Sequence, residues 1–251
     1  AKLLKEADIT FGNFEGTLHT LQGGAKFCRN PTQCYVFRSP PFHAEVLRRV
    51  GFNLMSTANN HAGDFGDAGR METYNNLRRA GIAVAGPDKD GMRTTLVRLA
   101  DGTRVGLAAF GHNPGIPWIT DIARAQTIVR GLKAQSDIVI VSFHGGGEGA
   151  NAVRVLRQTE IFLSENRGDV YRFAHAVVDA GANIVYGHGP HVPRAIDVYK
   201  GANHGWMPPD SRLDCAPFRC SCSRASRCQK RWPSAWWLRR RKTSYRRGCC
   251  G

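Results

Sequence analysis

The chain contains no run of about 18 consecutive apolar residues, so no segment of it reads as a membrane-spanning helix. Its opening residues, Ala1 to Asp8, are charged and lack the apolar stretch of a secretory leader, so no signal peptide is expected within these 251 residues. No GxSxG elbow occurs, which removes the serine-hydrolase reading that His144-Gly-Gly-Gly147 invites through its likeness to a lipase oxyanion loop. The eight cysteines form no paired CxxC knuckles, so a zinc ribbon has little support. No internal repeat is visible. Valine and isoleucine, 28 in the first 200 residues, are absent from the last 51, which therefore cannot follow the same building rules.

What is present divides the same way. At 42% hydrophobic and 22% charged residues the chain sits in the ordinary globular range, and its length suits one large α/β domain or two small ones. The formal charge of +15 is +5 over residues 1–200 and +10 over residues 201–251, and the second segment also holds six of the eight cysteines and four of the five tryptophans. From Pro208 to Gly251 there is neither the alternation of a strand nor the stripe of a helix. Three readings stand: a basic nucleic-acid-binding arm with Trp232, Trp236 and Trp237 between arginine clusters, a folded cysteine-rich module, or a segment translated out of frame. The abrupt end of the hydrophobic pattern favours the last. The expected division is residues 1–201 as a folded domain and 202–251 as a disordered or out-of-frame tail.

Within the first 200 residues strands alternate with helices. Strands are predicted at Asp8–Phe14, Asn53–Ala58, Ile82–Ala85, Asp137–Phe143, Asn183–Tyr186 and Arg194–Tyr199, with a hairpin of Thr95–Ala100 and Thr103–Phe110 about Asp101-Gly102. Helices are predicted at Pro41–Val50, Asp67–Ala80, Asp121–Ala134 and Asp169–Ala180. The run Ile138-Val-Ile-Val141 has the continuous apolar character of a sheet strand covered on both faces. The class is α/β with an added antiparallel hairpin.

Three polar clusters follow strands directly: Asn59-Asn60-His61, His144-Gly-Gly-Gly-Glu148, and Gly187-His188-Gly-Pro-His191. Ligands of open α/β sheets bind beyond the carboxyl ends of strands, so these loops are expected to converge. Glu15, Asn60, His61, His144, His188 and His191 then supply imidazole and oxygen donors without a thiolate, a set suited to manganese, iron or zinc and able to hold two ions. Taken singly, Asn59 and Asn60 read equally well as helix caps. His19, His43, His112, His175 and His204 lie away from these strand ends and read as structural.

Asp8-Ile-Thr-Phe-Gly-Asn-Phe-Glu-Gly16, Ser56-Thr-Ala-Asn-Asn-His61 with Asp64-Phe-Gly66, Ile138 to His144, and Gly181 to Val192 together resemble the CapA family of poly-γ-glutamate capsule biosynthesis proteins, over nearly all of residues 7–201. That resemblance implies a calcineurin-like metallophosphoesterase fold: a four-layer α/β/β/α sandwich, here lacking its first strand and the Gly-Asp motif that ends it, and followed by an aberrant tail. It implies Glu15 as bridging carboxylate, Asn60, His144, His188 and His191 as further metal ligands, and His61 as general acid, serving hydrolysis or transfer at a phosphate or amide. It also implies two divalent metal ions, an anionic polymer such as polyglutamate with its synthesis and export machinery as partners, and a place in the cell envelope. A non-catalytic assembly or export factor is the alternative. Cys28 and Cys34, in the long polar loop from Leu21 to Pro41, are spaced to close a small disulfide ring, which would survive outside the cytoplasmic membrane where such family members commonly work.

Overall fold

The computed structural model describes residues 2–28, 34–206 and 236–238, with 202–206 and 236–238 described through their backbone pairing. A short helix α1 (Lys2–Lys5) precedes β1 (Ile9–Asn13). Two-residue strands β2 (Thr17–Leu18) and β3 (Arg38–Ser39) pair in parallel across the base of the long loop. Then come α2 (His43–Val50), β4 (Leu54–Ser56), α3 (Gly66–Arg79) and β5 (Ala83–Ala85). The hairpin β6 (Thr94–Arg98) and β7 (Arg104–Phe110) leads to α4 (Ile122–Lys133) and β8 (Ile138–His144). A small ribbon of β9 (Ile161–Phe162) and β10 (Glu165–Asn166) precedes α5 (Val170–Asp179), β11 (Ile184–His188) and β12 (Ile196–Tyr199). Strands β13 (Ala202–Trp206) and β14 (Trp236–Leu238) complete the set.

Two mixed sheets result, ordered β14-β1-β4-β5 and β12-β13-β11-β8-β7-β6. In the first, β1, β4 and β5 are parallel; in the second, β7, β8, β11 and β13 are parallel, with β6 and β12 antiparallel at its edges. Three apolar clusters hold these elements. One joins the two sheets through Ile9, Phe11, Leu54, Leu107, Ile140 and Tyr186. Another seats α4 and α5 on the larger sheet, where Phe173 packs edge-on against Phe110 and Phe143. The third packs α2 and α3 against the smaller sheet around Met55, Leu77 and Val84. Asp121 and Asp169 open α4 and α5 by accepting the N–H groups of Arg124 and Arg172, satisfying donors that a helix start leaves free.

Every predicted strand and helix through Tyr199 is present, each within a few residues of its expected bounds. Strand structure was not expected beyond residue 201, and two strands are described there. The turn at Lys200 (φ 49°) and Gly201 (φ 77°) returns the chain as β13, which inserts between β11 and β12, and β14 pairs antiparallel with β1. Ladder bonds are made by the backbone, so a segment without β-branched alternation still pairs where an edge is offered. Residues 207–235 and 239–251, with Trp232 and all six tail cysteines, lie outside the described residues, and so do the basic-arm and frame readings that rest on them. No helix among the described residues is long and apolar enough to cross a membrane.

Phe173 is 1% exposed at the meeting point of α5 with β7 and β8. Phe173→Ala is expected to cost about 3–5 kcal/mol of unfolding free energy, the range for emptying a buried aromatic site. Denaturant titration of wild type and variant measures it, and a loss below 1 kcal/mol would show that this core collapses around the cavity.

Candidate metal centre

Strands β8 and β11 pair in parallel with His144 opposite His188, each the last residue of its strand. Both imidazoles therefore leave neighbouring strand ends together. Their Nδ1 atoms lie 3.0 Å apart, and both side chains are buried. Glu15, two residues past the end of β1, joins them: one ligand atom from each of Glu15, His144 and His188 lies within 4.8 Å of the others. Two nitrogens each about 2.0–2.1 Å from one ion and at a right angle about it stand about 3 Å apart, so the imidazole pair has the spacing of adjacent ligands. The outer nitrogen of His188, Nε2, lies 3.1 Å from Ser142 Oγ, the kind of second contact that orients a ligating ring.

The surroundings set the protonation states. Burial, reinforced by the neighbouring imidazoles and Arg167, holds His144 well below its ordinary value. Burial, with His191 nearby, pushes His188 down to about 3. Both rings are thus neutral at pH 7, the state in which imidazole binds a metal. Burial raises Glu15 and nearby Glu148 adds to this, while His191, His61 and a hydrogen bond from Asn13 act against it. A cation between Glu15 and the two imidazoles would relieve that burial cost, so the donor set fits a divalent metal.

Of the other expected residues, His191 and His61 fall outside this trio. His191, in the left-handed region at φ 55°, holds Nε2 3.9 Å from Glu15 Oε1 and 3.9 Å from Glu148 Oε2, and is half-exposed at the rim. Asn60, in the loop that follows β4, carries a buried Oδ1 with no hydrogen-bond partner among the described residues. His61 donates from Nδ1 to the ionised Asp64 Oδ2 at 2.8 Å and lies under the Phe37 ring, 4.2 Å between centroids. Its charge is felt at Glu15. The capping reading of Asn59 and Asn60 is not what the structure contains, since α3 starts without a side-chain cap.

Supporting contacts come from Asn59, noted in the sequence only as a cluster member and possible cap, and from residues the sequence did not single out as site residues. Asn59 Nδ2 donates to Asn13 Oδ1 (3.1 Å) and to the Phe14 carbonyl (2.7 Å), while its Oδ1 accepts the His61 N–H (3.1 Å). Asn13 in turn donates to Glu15 at 3.2 Å, so the Asn59 loop and the Glu15 loop are one bonded unit. Buried His112 places Nδ1 3.2 Å from the His144 carbonyl and Nε2 3.4 Å from Glu165. Buried Arg167 binds both Glu148 and Glu165. Glycine also matters at one position: Gly189 has φ +116°, and a Cβ there would stand 3.0 Å from His144 Nε2. Asp64 was the most accessible of these, since it sits three residues past His61 inside a motif already noted, whereas Asn13, His112 and Arg167 carry no local pattern.

The depressed imidazoles set a pH dependence. Unfolded histidine takes up protons as pH falls through about 6.5, while folded His188 does so only near 3, so the unfolded chain binds more protons between these values. Stability is full above about pH 6.5 and declines as pH falls toward 3. Thermal unfolding of the metal-free chain at pH 7 and pH 4 is expected to show this drop, and His188→Gln to shrink it. An equal drop in the variant would place its source elsewhere.

A family model described as bacterial capsule synthesis protein PGA_cap matches residues 1–204. A probable polyglutamine synthesis accessory protein of Mycobacterium tuberculosis is 31% identical over 217 residues, covering 77% of this chain and 52% of that protein. The PGA biosynthesis protein CapA of Bacillus subtilis is 26% identical over 213 residues (79% and 51%), and the capsule biosynthesis protein CapA of Bacillus anthracis 25% over 213 (78% and 48%). The chain spans about half the length of these curated relatives. With the family model covering the site loops and every strand through β12, the chain belongs to the PGA_cap family of bacterial capsule synthesis proteins, the family its four strand-end motifs resemble.

Proposed function

We propose that the chain carries a metal-dependent, phosphoesterase-like site serving bacterial capsule or poly-γ-glutamate biosynthesis in the cell envelope. The observation that carries this reading is the convergence of Glu15, His144 and His188 from three strand ends. Glu15, His144 and His188 would hold the first ion, and His191 and Asn60 would be the further ligands of a two-ion set of manganese, iron or zinc. Bound divalent metal supplies charge stabilisation at a phosphoryl or carbonyl oxygen and activates water. The three apolar clusters, helices outside each sheet and apolar side chains between the sheets, support the four-layer α/β/β/α sandwich of metallophosphoesterases as the scaffold.

The chain's own residues have distinct parts in this reading. Asp64 fixes His61 through Nδ1, which leaves Nε2 to pass a proton to a leaving oxygen. Burial and three partners compete at Asp64: burial alone would raise it, but His61, Lys26 and the Phe37 N–H together draw it below the ordinary carboxylate range, so it stays ionised. Asn59 and Asn13 hold the His61 and Glu15 loops in one frame. Arg167 turns Glu148 toward the rim, where the anionic polymer or its phosphorylated precursor would approach past His191. The mycobacterial relative is named as a probable accessory protein, which keeps a non-catalytic assembly role as the second reading.

Metal analysis of the purified chain after manganese loading tests the site, and release of p-nitrophenol from p-nitrophenyl phosphate and its diester tests the chemistry. His188→Ala is expected to weaken metal binding by more than the roughly 10–100-fold that loss of an outer-shell partner costs, and to abolish turnover. Unchanged metal content would remove the site. Tight, His188-dependent metal binding with no turnover on phosphate esters or glutamyl amides would select the assembly role.

A further inference from the structure

The long loop between β2 and β3 is closed by a disulfide, Cys28–Cys34, with Cα atoms 5.7 Å apart. Its two legs reach the same buried carboxylate. Two residues before Cys28, Lys26 pairs with Asp64 Oδ1 through Nζ at 2.6 Å, and its N–H donates to the Asp64 carbonyl at 2.8 Å. Three residues after Cys34, the Phe37 N–H donates to Asp64 Oδ2 at 2.7 Å, and the Phe37 ring covers His61. Asp64 Oδ2 is also the atom that holds His61 Nδ1. A side chain with no accessible surface thus joins both loop legs to the one imidazole assigned to proton transfer.

The two legs are not equally tied to the body. The Phe37 leg continues into β3, whose pairing with β2 and whose Phe37 carbonyl, bound by Thr17 N–H and Oγ1, anchor it. The leg from Leu21 to Cys28 reaches Asp64 through Lys26, and its Leu21 carbonyl accepts from Arg38. Phe37 itself stacks on exposed Tyr35, one residue past Cys34. The cross-link is the covalent tie that keeps the Lys26 leg beside the Phe37 leg.

We propose that the Cys28–Cys34 disulfide is a redox-responsive clasp: closed, it holds the Lys26 leg on Asp64 beside the Phe37 leg and keeps His61 oriented and covered; opened, it frees the Lys26 leg from Asp64 and loosens the Phe37 cover, which exposes His61. A dithiol is the reductant. One of its thiolates attacks a sulfur of the disulfide to form a mixed disulfide, and its second thiol displaces the remaining cysteine. Two electrons and two protons pass to Cys28 and Cys34, and the dithiol leaves as its own disulfide. The consequence for chemistry rests on the proposed role of His61, but the clasp itself does not, and the test below needs neither metal nor substrate.

The full chain is labelled with diethyl pyrocarbonate at histidine and with an amine-acetylating reagent at lysine, and each site is read by peptide mass spectrometry. The states compared are oxidised wild type, dithiothreitol-treated wild type with free Cys28 and Cys34 verified by alkylation, and the Cys28→Ser/Cys34→Ser variant. Labelling of His61 and Lys26 is expected to rise about tenfold or more in both opened states, since a cross-link this short removes much of a loop's freedom. Buried His144 should stay unreactive throughout. Phe37→Ala should expose His61 with the disulfide intact. No gain at His61 in the serine variant overturns the proposal, as does a gain seen only with dithiothreitol, which would assign it to other cysteines. Labelling of His144 in the opened states also overturns it, by making the bond a staple of the whole fold. A Phe37→Ala protein with His61 still shielded removes the cover.

Discussion

The parallel register of β8 and β11 is the constraint on which the site depends. It sets His188 beside His144 at the final ladder position, so that two buried imidazoles face each other with 3.0 Å between their nitrogens. A slip of one residue would turn one of the two rings to the opposite face of the sheet, toward α4 and α5, and dissolve the pair. The register is held by what lies upstream: Val139, Val141, Phe143 and Val185 are locked under the helices, while Ile140 and Tyr186 are locked against the smaller sheet. The chemistry is thus fixed by apolar packing at residues that take no part in it.

The cost of that arrangement is visible in the polar groups around it. Two imidazoles with no route to water are driven toward the neutral form, a carboxylate is driven toward protonation, and His144 Nε2 and Asn60 Oδ1 are buried with no partner. Buried polar groups without partners destabilise a fold by roughly 1–3 kcal/mol each, and clusters of them belong to functional sites more often than to structural ones. Behind the site the same chain spends paired charges freely: Arg167 with Glu148 and Glu165, and Arg194 with Glu160 beneath the glycine-rich loop after β8. These pairs stiffen loops that carry site residues, which regular ladder bonds alone leave untied.

The disulfide-closed loop and the metal-type cluster meet at His61 from opposite sides. Asp64 and Phe37 hold one side of the ring, and Glu15 senses its charge from the other. This gives the family's strand-end motifs an outer layer drawn from a segment with no regular pattern of its own, joined to the body through a two-residue strand pair, contacts to one aspartate and the Phe37 ring over His61.

The strand and helix order through Tyr199 was legible in the sequence because period and punctuation are local: apolar runs, Asp caps, and Gly after helices. The strand-end positions of Glu15, Asn60, His61, His144, His188 and His191 were legible for the same reason, since a polar cluster following a buried strand marks its carboxyl end. Which of these share a point was not, because that depends on the register of β8 against β11 and on the meeting of two sheets. Only the tertiary structure put Glu15, His144 and His188 within 4.8 Å and left His191 at the rim. Only it joined Asn13 to Asn59, His112 to His144, and Lys26 and Phe37 to Asp64, pairs separated by up to 46 residues. Backbone pairing at β13 and β14 was equally hidden: an open sheet edge recruits main-chain groups whatever side chains they carry, and one-dimensional pattern records side chains alone.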